Sequence, residues 1–226
     1  MIKETIIKLN SELPSEVKLV AVSKFHPIES VLEAYEAGQR LFGESRPQEL
    51  QAKFKFLQER ELAEDIQWHF IGHLQTNKLK MVLPYASLIH SVDSLRLLEA
   101  INRWGEANDK RVSVLLEYFI AQEESKQGFD RKEIEDILLG GRLYKNIVFK
   151  GLMAMASYTE DEDQIREEFQ KVVDLNAFLK LRIGECNLTE EWSELSFGMS
   201  GDYMIATSMG ATMVRIGTMI FGERKY

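Results

Sequence analysis

The sequence predicts an α/β protein, a single (β/α)8 TIM barrel with an additional N-terminal helix. Three observations predict it: eight β-rich apolar runs, helical periodicity between them, and no linker dividing the chain. The runs fall at residues 19–22, 41–42, 68–71, 87–92, 112–120, 147–155, 194–199 and 213–221. Most are near-continuous rather than alternating, as expected for parallel strands covered on both faces.

Between the runs, Ile28, Val31, Leu32 and Tyr35 recur at i, i+3, i+4, i+7, and Leu50, Phe54 and Leu57 at i, i+4, i+7. Pro27 and Pro47 stand where a first helical turn tolerates proline. Helices are also predicted over 94–106, 131–144 and 161–181, the last with Ile165, Phe169, Val172 and Val173 on one face. Shorter helices are expected after the third and seventh strands. Alternation of strand and helix implies parallel βαβ units, and eight of them favour a closed barrel over an open sheet.

Residues 1–13 mix Lys3, Glu4 and Lys8 with Ile2, Ile6, Ile7 and Leu9, which reads as an amphipathic helix and not as a signal peptide. The sequence stops at Tyr226, soon after the eighth strand, so this first helix is expected to cover the last strand. No Pro/Gly/Ser-rich stretch or internal repeat appears, and residues 1–226 are expected to form one domain.

At 226 residues the chain can bury one large core, and 45% apolar with 28% charged residues is ordinary for a globular protein. The net charge is −8 and the basic residues are interspersed with acidic ones, which disfavours nucleic acid as a partner. A lone Cys186 forms no internal disulfide, and no apolar run reaches the roughly 18 residues of a membrane span. A cytoplasmic protein is expected.

Active sites of such barrels lie at the C-terminal strand ends, which turns position into a filter. Lys24 follows Leu19-Val-Ala-Val-Ser at the end of the first strand. It reads either as a solvated strand-end lysine or as an amine in an apolar wall, where burial disfavours the charged form and suits attack on an aldehyde. The seventh strand runs into Gly198, Met199, Ser200, Gly201 and Asp202, and the eighth supplies Arg215, Ile216, Gly217 and Thr218. Loops after strands seven and eight frequently bind phosphate in this fold, and Ser200, Gly217 and Thr218 stand where such a site forms. Arg215, inside an apolar strand, needs a partner: a structural salt bridge or a bound ligand.

Other chemistries find little support. His69 and His73 are four apart on or just past a strand, roughly 13 Å along an extended backbone, too far to share a metal. No HExxH or paired CxxC occurs, so no metal is expected. His26 either tunes Lys24 or is a loop histidine, and Gly198-Met-Ser-Gly fails the GxSxG pattern of a nucleophile elbow.

Seven ordered segments spread over the chain carry a family resemblance. They are Leu19-Val-Ala-Val-Ser-Lys24, Ala37-Gly-Gln-Arg-Leu-Phe-Gly-Glu44, Trp68-His-Phe-Ile-Gly-His-Leu-Gln-Thr-Asn-Lys78, Ser125-Lys-Gln-Gly128, Gly151-Leu-Met-Ala154, Gly198-Met-Ser200 with Asp202, and Val214-Arg-Ile-Gly-Thr218 with Phe221-Gly222. The chain resembles the YggS/PROSC family of pyridoxal phosphate homeostasis proteins, whose fold is similar to the barrel domain of alanine racemase. The resemblance implies pyridoxal phosphate held as a Schiff base on Lys24. It further implies phosphate contacts from Ser200 and the Gly217–Thr218 segment, Arg215 facing the pyridine nitrogen, and further contacts near Ser45 and Met199. It implies a role in vitamin B6 and amino-acid balance without robust turnover. Two departures stand out: Ser45 and Phe119 replace residues that are usually Asn in the family.

Two functions are therefore carried forward: a cofactor carrier, monomeric and with apo pyridoxal-dependent enzymes as possible recipients, and a pyridoxal phosphate-dependent amino-acid racemase. A racemase needs acid–base groups on both faces of the substrate Cα. Lys24 serves one face only, which leaves Tyr203, His73 or a partner subunit to serve the other.

Overall fold

The computed structural model describes residues 1–122 and 127–223. Eight parallel strands close into a barrel in sequence order: β1 (Lys18–Val22), β2 (Leu41–Glu44), β3 (Gln67–Phe70), β4 (Leu88–Val92), β5 (Val112–Glu117), β6 (Ile147–Met153), β7 (Glu194–Ser196) and β8 (Met213–Ile216). Closure is made by β1 against β8, with Val20 opposite Arg215 and Ala21 opposite Ile216. The helices are α1 (Ile2–Glu12), α2 (Ile28–Glu36), α3 (Pro47–Gln58), α4 (Leu95–Ala107), α5 (Arg131–Leu139), α6 (Glu162–Lys180), α7 (Tyr203–Ser208) and α8 (Thr218–Phe221). A 3₁₀ segment, Thr76–Met81, follows β3, where a short helix was expected. No helix among the described residues is long and apolar enough to cross a membrane.

Local chemistry accounts for the helix boundaries. Pro47 opens α3, where its missing N–H costs nothing. Ser94 caps α4, Asp161 caps α6, and Asp130 with Glu133 forms a capping box on α5. α5 stops at Leu139, five residues before the predicted end, because Gly140 and Gly141 follow and Gly141 takes φ +85°. The predicted strands five to eight also overrun. Their apolar tails leave the sheet at Glu117, Met153, Ser196 and Ile216, and residues 218–221 turn into α8 instead of extending β8. α1 buries Ile6 and Leu9 and packs against α2 and α8, covering the seam where the barrel closes.

The main core lies between barrel and helices and includes Phe42, Trp68, Phe70, Phe169 and Phe197, all fully or almost fully buried. A second, smaller cluster fills the barrel itself: Val20, Leu88, Leu115, Met153 and Met213. Side chains two residues apart share a face of a strand. One step towards the C-terminal ends, the same inward faces of β1, β4, β5 and β8 therefore present Val22, His90, Glu117 and Arg215. An apolar floor thus carries a partly polar layer, and this layer lies at the mouth where such barrels place their sites.

Gly151 allows β6 to close on β7. Val114 pairs with Phe149 but Leu115 pairs with Gly151, so Lys150 is an extra residue bulged out of the ladder. Gly151 has φ +152°, and a Cβ there would stand 1.7 Å from the Glu194 carbonyl oxygen. Gly151→Ala is expected to lower the unfolding free energy by about 3 kcal/mol or more, through strain and displaced backbone. Urea unfolding checks this, and a loss below about 0.5 kcal/mol would show that the barrel closes without the contact.

Candidate functional site

A cavity of about 420 Å³ opens at the C-terminal end of the barrel. Lys24, Met199, Ser200, Arg215, Gly217 and Thr218 line it, so six of the seven residues singled out from the sequence meet at one place. Ser45 is not in this lining; it follows β2 and packs its backbone against Gly72. Phe119 is also absent from the lining, and its N–H donates to the Phe129 carbonyl. Ser125 and Lys126 lie outside the described residues.

Lys24 is half-buried in the turn after β1, and both its neighbours are pinned by a buried charge network. The Ser23 hydroxyl donates to Glu44 Oε1 (2.7 Å), and its carbonyl accepts from Lys53 Nζ (2.9 Å). Lys53 also reaches Glu44 Oε1 at 2.6 Å, an ion pair almost wholly out of water. On the other side, the Phe25 N–H donates to Glu49 Oε2 (2.8 Å), and Arg46 lies 4.1 Å over the Phe25 ring. Phe25 has φ +67°, a strained conformation for a bulky residue that this network holds in place. Burial pushes the Glu44 carboxyl up, while Lys53 and the Ser23 hydroxyl pull it back. The amine therefore projects from a backbone with little freedom to shift.

The opposite wall is built by the loops after β6, β7 and β8. Gly198 takes φ +96° with its backbone tight against Ala206 of α7. The Met199 N–H donates to Asp202 Oδ1, which shapes the turn and leaves Ser200 and Gly201 facing the cavity. The Ser200 and Thr218 hydroxyls bond no other described residue, so both are open to an acceptor or donor in the cavity. Ser157, from the loop after β6, is held by Glu168 of α6 through its backbone N–H (2.6 Å) and its hydroxyl (2.7 Å).

Arg215 is 5% exposed and lines the cavity floor. The salt bridge considered from sequence is not made with any described carboxylate. Nη1 donates instead to the Ser196 carbonyl and hydroxyl (both 2.7 Å), and Nη2 to the Ala154 carbonyl (2.9 Å). Burial lowers the guanidinium to about 10, while Asp202 and Glu117 raise it, so it stays charged at neutral pH.

Several lining residues carried no sequence signal of their own: Met155, Ser157, Tyr158 and Thr159 on the β6 loop. The Gly151-Leu-Met-Ala154 segment marks that strand end but not the loop that follows. His69, weighed only as a metal ligand, is buried and 2.8 Å from His90, while His73 is exposed and 2.8 Å from Asp93.

An eight-stranded parallel barrel with a lysine after β1, and hydroxyl- and glycine-bearing turns after β7 and β8, defines a barrel protein built around a lysine-bearing cavity. The family model for the N-terminal domain of alanine racemase matches residues 1–225. A pyridoxal phosphate homeostasis protein of Vibrio alginolyticus is 37% identical over 214 residues, spanning 94% of this chain and 89% of that one. PipY of Synechococcus elongatus PCC7942, solved without pyridoxal phosphate, superposes with a TM-score of 0.89 at 34% identity, covering 98% of this chain and all of that one. PipY with pyridoxal phosphate bound gives 0.84 at 33% identity over the same shares. The chain belongs to the alanine racemase N-terminal domain family and, within it, to the pyridoxal phosphate homeostasis proteins.

Glu117 adds a titrating group to the polar layer. It is 3% exposed, and its Oε2 has no hydrogen-bond partner among the described residues. Burial, with the nearby Asp93, raises its carboxyl to about 7, against the opposing pull of Arg215 and His73. Between the ordinary carboxylate range and pH 7 the folded protein keeps a proton that the unfolded chain has released, so stability falls as pH rises through this window. Glu117→Gln removes that penalty. Its stability relative to wild type is expected to rise between pH 5 and pH 8, by about 3 kcal/mol at most. Urea unfolding at the two pH values checks it, and a difference that does not change with pH contradicts the assignment.

Proposed function

We propose that this chain holds pyridoxal phosphate as a Schiff base on Lys24 and serves as a cytoplasmic carrier in vitamin B6 and amino-acid homeostasis. On this reading it exchanges its cargo, with apo pyridoxal-dependent enzymes as recipients, and does not turn over amino acids at enzymatic rates. One observation carries it: an amine, two uncommitted hydroxyls and a buried guanidinium converge on one cavity of about 420 Å³, a size suited to a cofactor. PipY, a relative of the same family, has been solved with pyridoxal phosphate bound.

The donor set fits the group. Bound pyridoxal phosphate supplies an aldehyde and an electron-withdrawing pyridine ring. Lys24 supplies the nucleophilic amine. Ser200 and Thr218 offer hydroxyls, and the turns at Gly201 and Gly217 allow close backbone approach, a set that suits a phosphate. Arg215 can only donate, so it would hold a pyridine nitrogen unprotonated and weaken the ring as an electron sink. Ser45, outside the lining, is left out of the proposed contacts.

Against the racemase alternative, neither residue proposed as the opposing acid lines the Lys24 cavity. The Tyr203 hydroxyl lies 3.4 Å from Glu12 Oε2, and His73 pairs with Asp93. Borohydride reduction of protein loaded with pyridoxal phosphate is expected to fix the label on the peptide containing Lys24. Lys24→Ala should keep the fold and lose the reducible adduct, whereas a stoichiometric adduct surviving in the variant would remove Lys24 from the assignment. Cα–H exchange of alanine or serine in deuterated water, followed by NMR, should be negligible. Exchange at about 1 per second or faster would favour the racemase.

A further inference from the structure

Arg215 heads a buried chain of hydrogen bonds that reaches back through the barrel interior. Its Nη1 donates to Ser196 Oγ (2.7 Å). Ser196 Oγ lies 3.0 Å from His90 Nδ1, and His90 Nε2 lies 2.8 Å from His69 Nδ1. Ser196 and His90 are fully buried and His69 almost so. The four residues come from β8, β7, β4 and β3, so the chain spans the barrel and does not follow one strand.

The direction of every proton in this chain follows from donor chemistry. A guanidinium cannot accept, so Ser196 Oγ accepts from Arg215 and its own O–H must donate elsewhere. Among the described residues, the acceptor within reach is His90 Nδ1. His90 therefore has no proton on Nδ1, and as a neutral imidazole it carries one on Nε2. That N–H donates to His69 Nδ1, which places the proton of His69 on its Nε2. Charging either ring would add a second cation to the buried interior near Arg215, and burial accordingly holds both imidazoles neutral, His69 down to about 3.

We propose that Ser196, His90 and His69 form a hydrogen-bond relay of fixed polarity that holds the Arg215 guanidinium in one orientation towards the cavity. Ser196 and His90 are thus positioning residues for the ligand that Arg215 meets. With Nη1 and one N–H of Nη2 committed, Arg215 keeps Nε–H and the other Nη2 N–H for that ligand. Without the relay, the Ser196 hydroxyl would be free to turn its own hydrogen into competition with the guanidinium. The ligand's identity as pyridoxal phosphate rests on the function proposed above; the relay itself does not.

The chain has four histidines, so its imidazole nitrogens can be assigned by NMR of histidine-labelled protein without cofactor. Both His69 and His90 are expected to be neutral with the proton on Nε2 at neutral pH. A proton on His90 Nδ1, or an imidazolium at either residue, overturns the relay. Two substitutions then test the positioning role. His90→Asn offers an amide oxygen near the Nδ1 position and is expected to keep pyridoxal phosphate affinity and the visible absorption band close to wild type. His90→Leu removes the acceptor, and is expected to weaken binding by roughly tenfold and shift the band, with the Lys24 adduct still forming. Equal behaviour of the two variants overturns the positioning role, and if His90→Leu does not fold, the wild-type tautomers decide. Failure of the wild type to bind pyridoxal phosphate overturns the proposed function and the positioning of that ligand, and leaves the tautomer result standing.

Discussion

The constraint on which the site depends is a permanent positive charge that is almost wholly buried. Removing a guanidinium from solvent costs several kcal/mol unless its donors are satisfied. Here neutral oxygens satisfy the two N–H groups of Nη1 and one of Nη2: the carbonyls of Ala154 and Ser196 and the Ser196 hydroxyl. These oxygens sit where they do because β6 ends at Met153 and β7 at Ser196, beside β8. The bulge at Lys150 shifts β6 against β5, the close passage of Gly151 past Glu194 seats it against β7, and together they set the height of those strand ends. A stereochemical detail deep in the sheet thereby reaches the cavity floor.

The lysine side is built on a different principle. Arg215 is held through its side chain, whereas Lys24 is held through its neighbours: Ser23 by Glu44 and Lys53, Phe25 by Glu49. Glu44 and Lys53 are worth little as a pair against well-packed apolar residues, because each loses its hydration. What they contribute is position, since two charges that tolerate no other arrangement fix the backbone from which the amine extends.

Much of this was legible in the sequence, and the reason is geometric. Strands covered on both faces must be continuously apolar, so all eight appear as runs; the strand-end rule then selects Lys24, Ser200, Gly217 and Thr218, and Arg215 stands out as a charge inside an apolar strand. The runs overestimate strand length because apolar residues past a strand end, such as Met155 and Phe197, go on to line a cavity or pack under helices. His90 and Ser196 were invisible as partners because they are 106 residues apart, and only closure of the barrel brings them together. The Tyr158 loop left no trace because it has no periodicity, and its one turn, the Thr159 hydroxyl accepting from the Asp161 N–H, serves the start of α6 and not the cavity. Ser45 shows the limit of the rule. It follows a strand end as Lys24 does, yet its backbone packs against Gly72 and it falls outside the lining.

The contrast between the two anchors bears on what the cavity can do under the proposed function. A catalyst that labilises a Cα–H bond profits from an electron-poor ring and from acid–base groups on both faces of the substrate. In this barrel the group that would meet the ring nitrogen is a cation that cannot give up its proton near neutral pH, with three of its N–H groups fixed by the oxygens around it. The residues nominated for the second face are spent on Glu12 and Asp93. The rigid elements are thus those that define where a ring and its phosphate would lie. Lys24 itself is half-buried, in contrast to the almost fully buried Arg215. Under the proposed function, a site arranged this way would hold its ligand in a defined place without committing it to reaction, which is the physical requirement for storing a reactive aldehyde and giving it up again.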